Sequence, residues 1–118
     1  MEEMESILTS IKKLLGIPKE YTHFDADVIA FINGVFPALN QMGVGPAEGF
    51  NIVDAEDTWS DYLGDKMMLQ GNAITFIHLS VKILFDPPLS SSVLAAYERQ
   101  IKELEWRITT MAESLNNE

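Results

Sequence analysis

The sequence predicts an all-α protein, a small bundle of about four to five helices interrupted by one long irregular insertion. Three observations predict it: apolar residues recur at helical spacing in three long stretches, only the tetrapeptide Phe50-Asn51-Ile52-Val53 could be extended, and glycine and proline gather between the stretches. With 118 residues, 47% apolar and 22% charged, the chain has room for one domain, 1–118, and enough apolar surface to bury a core.

The elements follow in order. Met4, Ile7, Leu8, Ile11, Leu14 and Leu15 trace a short amphipathic helix, stopped by Gly16 and Pro18. A second helix starts near Thr22 to Asp25, where capping side chains and early carboxylates suit unsatisfied N–H groups. Its stripe runs Phe24, Val28, Phe31, Ile32, Val35, Phe36, Leu39 and Met42, and Pro37 within it is expected to kink or divide the helix, because proline lacks the donor and crowds the preceding turn.

Periodicity then fails across an insertion at 43–57, marked by Gly43, Gly45, Pro46 and Gly49 and expected to be mobile until a partner orders it. Thr58 caps a brief helix with Trp59, Tyr62 and Leu63 on one side and Gly64 as its stop. Residues 66–85 read as the central helix, apolar all round except for a strip through Asn72, Thr75, His78 and Lys82, and therefore surrounded by other helices. Asp86-Pro87-Pro88 ends it, and the serines at 90–92 offer caps for a last helix over 91–115. There Leu94, Tyr97, Ile101, Leu104, Ile108, Met111 and Leu115 alternate by three and four, an a/d seam. Glu98 with Lys102 and Glu103 with Arg107 are i,i+4 pairs in the favourable order.

Eighteen acidic against eight basic residues give a net charge of −10, which repels a phosphate backbone, so groove-reading of nucleic acid is excluded. The charge is uneven: between 24 and 65 there are eight carboxylates and no lysine or arginine, and one surface is expected to be strongly negative. Without cysteine there is no disulfide, thiolate nucleophile or cysteine zinc site. The acidic start, Met1-Glu2-Glu3-Met4-Glu5, is unlike a secretory signal, and no uninterrupted apolar stretch approaches membrane-spanning length, so no membrane association is expected.

His23-x-Asp25-x-Asp27 offers metal-ligand types, but residues two apart on a helix do not share a face, so capping is the preferred role. Asp57, Asp61 and Asp65 step by four and, with Asp54 and Glu56, could chelate a divalent ion; they lack the glycine-centred calcium loop and its closing glutamate, so an acidic channel or surface face is preferred. His78 reads as a structural histidine. No phosphate loop, nucleophile elbow or pyrophosphohydrolase-type acidic repeat is present, and neither an enzyme nor a cofactor is expected. Trp106 falls at heptad position f, away from the seam, where it is either covered by another part of the chain or left for a partner. With Arg99, Lys102, Phe50, Ile52 and Trp59 it makes up the candidate interface residues.

The order of these features resembles the small head–tail connector, adaptor or head-completion proteins of tailed bacteriophages and prophages. The resemblance is carried by Ile7-Leu8-Thr9-Ser10-Ile11-Lys12-Lys13-Leu14-Leu15-Gly16-Ile17, by Asp25-x-Asp27 opening a long helix, by Leu84-Phe85-Asp86-Pro87-Pro88 and by Ile101-Lys102-Glu103-Leu104-Glu105-Trp106-Arg107. It implies a non-enzymatic subunit of a homo-oligomeric ring, typically of twelve, between the portal protein and the tail-side completion or stopper protein. DNA would pass through without sequence-specific binding, in a virion assembled in the host cytoplasm. The long insertion departs from the family's minimal link. A helical adaptor or regulator binding one protein partner is the alternative.

Overall fold

The computed structural model describes residues 5–117, and they form five α-helices: α1 (Ile7–Leu14), α2 (Asp25–Gln41), α3 (Trp59–Leu63), α4 (Gln70–Phe85) and α5 (Ser91–Asn116). Among the described residues there is no strand, only a single antiparallel bridge between Ser6 and Thr58. Met4, which the spacing adds to the first stripe, lies outside the described residues.

α4 is the centre of the bundle and packs against α1, α2 and α5. It begins later than the sequence suggests, because Met67–Leu69 forms a 3₁₀ turn that feeds into Gln70. The span Met67–Phe85 is long and apolar enough to cross a membrane by length and composition, but Ala73, Phe76, Ile77, Leu79 and Val81 are buried among the other helices. α2 runs antiparallel to α4, as the edge-to-face contact of Phe24 with Phe85 at 5.3 Å shows. α5 returns alongside α4 until its Asn116 amide donates to the Gly43 carbonyl at 3.3 Å, beside the end of α2.

The helix ends are built largely as the local chemistry requires. Ser6 caps α1 and Ser90 caps α5, each accepting from the N–H three residues on. Thr58 and Asp61 form a reciprocal capping box on α3. α2 and α4 have no side-chain cap: α4 continues from the 3₁₀ turn through Leu69, and α2 starts after Phe24 with Asp25 and Asp27 placing carboxylates in its first turn. Pro37 does not divide α2, which continues to Gln41; its ring is at the surface while neighbouring Val35, Phe36 and Leu39 are buried, so packing holds the turn despite the missing donor.

The insertion is fixed within its own chain. The Asn33 amide holds Ile52 at both backbone atoms, accepting from its N–H at 2.8 Å and donating to its carbonyl at 3.0 Å. Asn40 donates to the Pro46 carbonyl at 2.8 Å, and Val44 and Ile52 are buried. Phe50 packs between Phe36 and Tyr62, with ring centroids 5.4 and 4.9 Å away. Gly45 has φ +86°, and a Cβ there would lie 2.4 Å from the Tyr62 ring, so only glycine fits both the backbone and the contact. This corrects the expectation of a segment left loose for a partner: two asparagines and an aromatic cluster supply contacts that periodicity does not reveal.

Candidate functional site

The structure separates the candidate interface residues into two groups. Trp59 is fully buried, its indole N–H donating to the Ser10 hydroxyl at 3.0 Å, while the Asp57 carbonyl accepts from the Ile7 N–H and the Trp59 N–H donates to the Glu5 carbonyl. Ile52 is buried on Asn33 and Phe50 is largely covered by the core. Ile52 and Trp59 are therefore not available to a partner, and their assignment to an interface is corrected: both serve to tie the insertion and α3 onto α2 and α1. The i, i+3, i+4 spacing of Trp59, Tyr62 and Leu63 was the signal for this, since it is the signature of a face turned inward.

Trp106, Arg99 and Lys102 stand on the outer side of α5, all exposed, and Trp106 keeps 71% of its surface in solvent. Its own chain does not cover it. The seam behind it buries Leu104 and Ile108, with Leu94, Tyr97, Ile101, Met111 and Leu115 partly covered. Ala112 also faces in, and the Asn72 amide reaches the Met111 sulfur at 3.2 Å. Of the two expected i,i+4 pairs, Arg107 and Glu103 meet at 4.0 Å, and Glu98 and Lys102 form no ion pair among the described residues.

The acidic candidates gather around the insertion and α3 rather than stacking on one helix. Asp57 accepts from the N–H of Val53 at 2.7 Å and of Asp54 at 3.3 Å, Asp54 accepts from the Glu56 N–H at 2.8 Å, and Asp61 accepts from the Thr58 N–H at 3.1 Å. Asp65 lies beyond Gly64, 4.0 Å from Lys66. Their job within the subunit is to tighten turns, and Asp54, Glu56, Asp61 and Asp65 remain exposed to solvent. No group of three histidines, cysteines or carboxylates converges on a metal-sized space among the described residues, including His23, Asp25 and Asp27.

Two titratable groups are shaped by burial. Burial holds the His78 imidazole below its ordinary pKa, Lys82 one turn on acts in the same direction, and a bond to the Leu14 backbone opposes them. Tyr62 is buried with its hydroxyl unpartnered within the protein, and desolvation raises its pKa. Sequence reasoning missed the most enclosed charge altogether. Lys12, 3% exposed, pairs with Asp25 at 2.7 Å and donates to the carbonyls of Lys19 at 3.2 Å and Tyr21 at 2.8 Å. This clamps α1, the 15–24 link and the start of α2 together.

The described residues thus form an all-helical bundle with a buried apolar core, an exposed tryptophan beside Arg99 and Lys102, and exposed carboxylates around the insertion and α3. The chain belongs to the phage connector protein family, whose model matches residues 7–114. It is thus a structural phage protein, and membership implies a place at the head–tail junction of the virion among other head and tail proteins. No curated protein matches the chain. No solved structure matches it.

Proposed function

We propose that the chain is the subunit of an oligomeric ring of about twelve copies, by the family resemblance, seated between the portal and the tail-side completion or stopper protein and extending the DNA channel. The observation that carries this reading past family membership is the concentration of exposed carboxylates at Asp54, Glu56, Asp61 and Asp65 in a region without lysine or arginine from 24 to 65. A ring of such subunits would have a total charge on the order of −120, and carboxylates lining its passage would let a polyanion slide with little adhesion, the reverse of counterion-releasing binding. The subunit acts without catalysis or cofactor and assembles in the host cytoplasm before residing in the virion.

Like-charged subunits resist closing a ring, so the free chain stays largely monomeric and the ring forms on the portal. Electron microscopy of the chain mixed with portal tests this: closed rings stacked on the portal are expected. Absence of any ring, with a one-to-one complex formed instead with some other protein, would favour the adaptor or regulator reading, in which the acidic insertion and exposed Trp106 bind one partner. Replacing Asp61 and Asp65 by asparagine, which leaves the 53–57 turn intact, should slow DNA passage through assembled particles; unchanged ejection would place these two residues outside the channel.

A further inference from the structure

The outer side of α5 has a definite chemical character. Residues 92, 95, 99, 102, 106 and 109 fall at heptad positions f and b and make one stripe of small side chains, Arg99, Lys102 and Trp106; carboxylates near it include Glu103, which meets Arg107 at 4.0 Å, and Glu113 at the next f position. Neither Arg99 nor Lys102 forms an ion pair among the described residues. An exposed indole beside two unpaired cations suits a partner surface that offers an apolar side chain among carboxylates.

The same molecule has such a surface. Val53 is 75% exposed and is followed by Asp54 and Glu56, both exposed. The turn that presents them is already shaped by the Asp57 and Asp54 hydrogen bonds, and Asn33 holds it at Ile52, so little ordering remains to be done on contact. Within one copy the two surfaces stay apart: Trp106 and Val53 are both exposed, and neither Arg99 nor Lys102 pairs with Asp54 or Glu56 among the described residues. A patch and a complement made of different residues give a head-to-tail contact, which repeats from copy to copy instead of closing as a twofold dimer.

We propose that the α5 stripe docks on the 53–57 turn of a second copy of this chain, with Trp106 covering Val53 and with Arg99 and Lys102 facing Asp54 and Glu56. This rests on the ring reading above and names the surfaces that build the ring.

The test uses the absence of native cysteine. Full-length Lys102→Cys and Glu56→Cys chains are mixed with portal, oxidised mildly and imaged. The expected result is a ring together with a mixed disulfide joining the two variants, far in excess of that formed when Glu56→Cys is mixed with a Gln41→Cys control. Rings without that excess overturn the docking and leave the ring reading intact; absence of any ring with the unmodified chain overturns both. A second arm reverses charge: Arg99→Glu with Lys102→Glu should abolish rings, and Asp54→Lys with Glu56→Lys in the same chain should restore them. Loss of rings without restoration, in chains whose melting is unchanged, also overturns the docking.

Discussion

Between Gly43 and Leu63 the backbone is mostly irregular, yet Val44, Ile52, Trp59, Tyr62 and Leu63 are buried. α5 is the longest helix, yet it fully encloses only Leu104, Ile108 and Ala112 and leaves Trp106 in water. The two regions show that regularity and burial are separate properties. A helix can stand on its own backbone hydrogen bonds with a narrow seam, whereas an irregular segment must have its polar backbone satisfied from outside, here by Asn33, Asn40, Asp57 and the Ser6–Thr58 bridge. The more irregular region is therefore the more dependent on particular side chains.

Substitutions that strike the two regions differently can break that comparison. Trp59→Ala should have the largest effect, about 3–5 kcal/mol, since it empties a fully buried site and removes the indole donor from the Ser10 hydroxyl, which keeps its bond to the Ser6 carbonyl. Denaturant unfolding measures it; a loss under 1 kcal/mol would mean that α3 is not part of the core. Leu104→Ala, on the seam of α5, should cost about 2–5 kcal/mol by the same cavity argument. For Asn33→Ala we expect about 1–3 kcal/mol, from leaving the Ile52 backbone unsatisfied. Its signature is local: amide exchange should quicken at Ile52 and its neighbours while α5 is unaffected, and uniform acceleration would contradict the assigned anchoring.

A smaller effect belongs to His78. Because its folded-state pKa lies below the ordinary 6.5, the unfolded chain binds the proton more readily, so this contribution to stability is complete above that value and is lost as pH falls through it toward the folded pKa. Urea midpoints should fall more between about pH 7.5 and 5.5 in the wild type than in His78→Gln, and equal slopes would disprove the linkage. Least of all, Trp106→Ala should shift stability by no more than about 0.5 kcal/mol. A loss comparable to that of Leu104→Ala would show that the indole is held by its own subunit.

The parts of the fold legible in the sequence were those governed by local rules. The inward positions of α1, α4 and α5, the caps at Thr58 and Ser90 and the stop at Gly64 depend on residues a turn apart and stand where spacing places them, whereas Leu14, Met67 and Leu84, drawn into the stripes by the same spacing, are exposed. The docking of the insertion was not legible, because Asn33 and Ile52 are 19 residues apart and Trp59 and Ser10 are 49 apart. An asparagine on a helix looks the same in sequence whether it faces solvent or clasps a loop. Of the candidate surfaces, Asp54, Glu56, Asp61 and Asp65 lie outside as their charge suggests, Trp106, whose heptad position left open whether its own chain covers it, is exposed, and Ile52 and Trp59 lie within.

The enclosed ammonium of Lys12 also has a chemical consequence. Its contacts are the carboxylate of Asp25 and two carbonyls, and its burial shields the nitrogen from reagents. In the native protein an amine-directed acylating reagent should modify exposed Lys13, Lys19 and Lys102 rapidly and reach Lys12 only when the junction of α1 and α2 opens. The acylation rate of that one lysine, read by peptide mass, becomes a clock for opening at this junction, and a rate equal to that of Lys13 would mean that the junction is open most of the time.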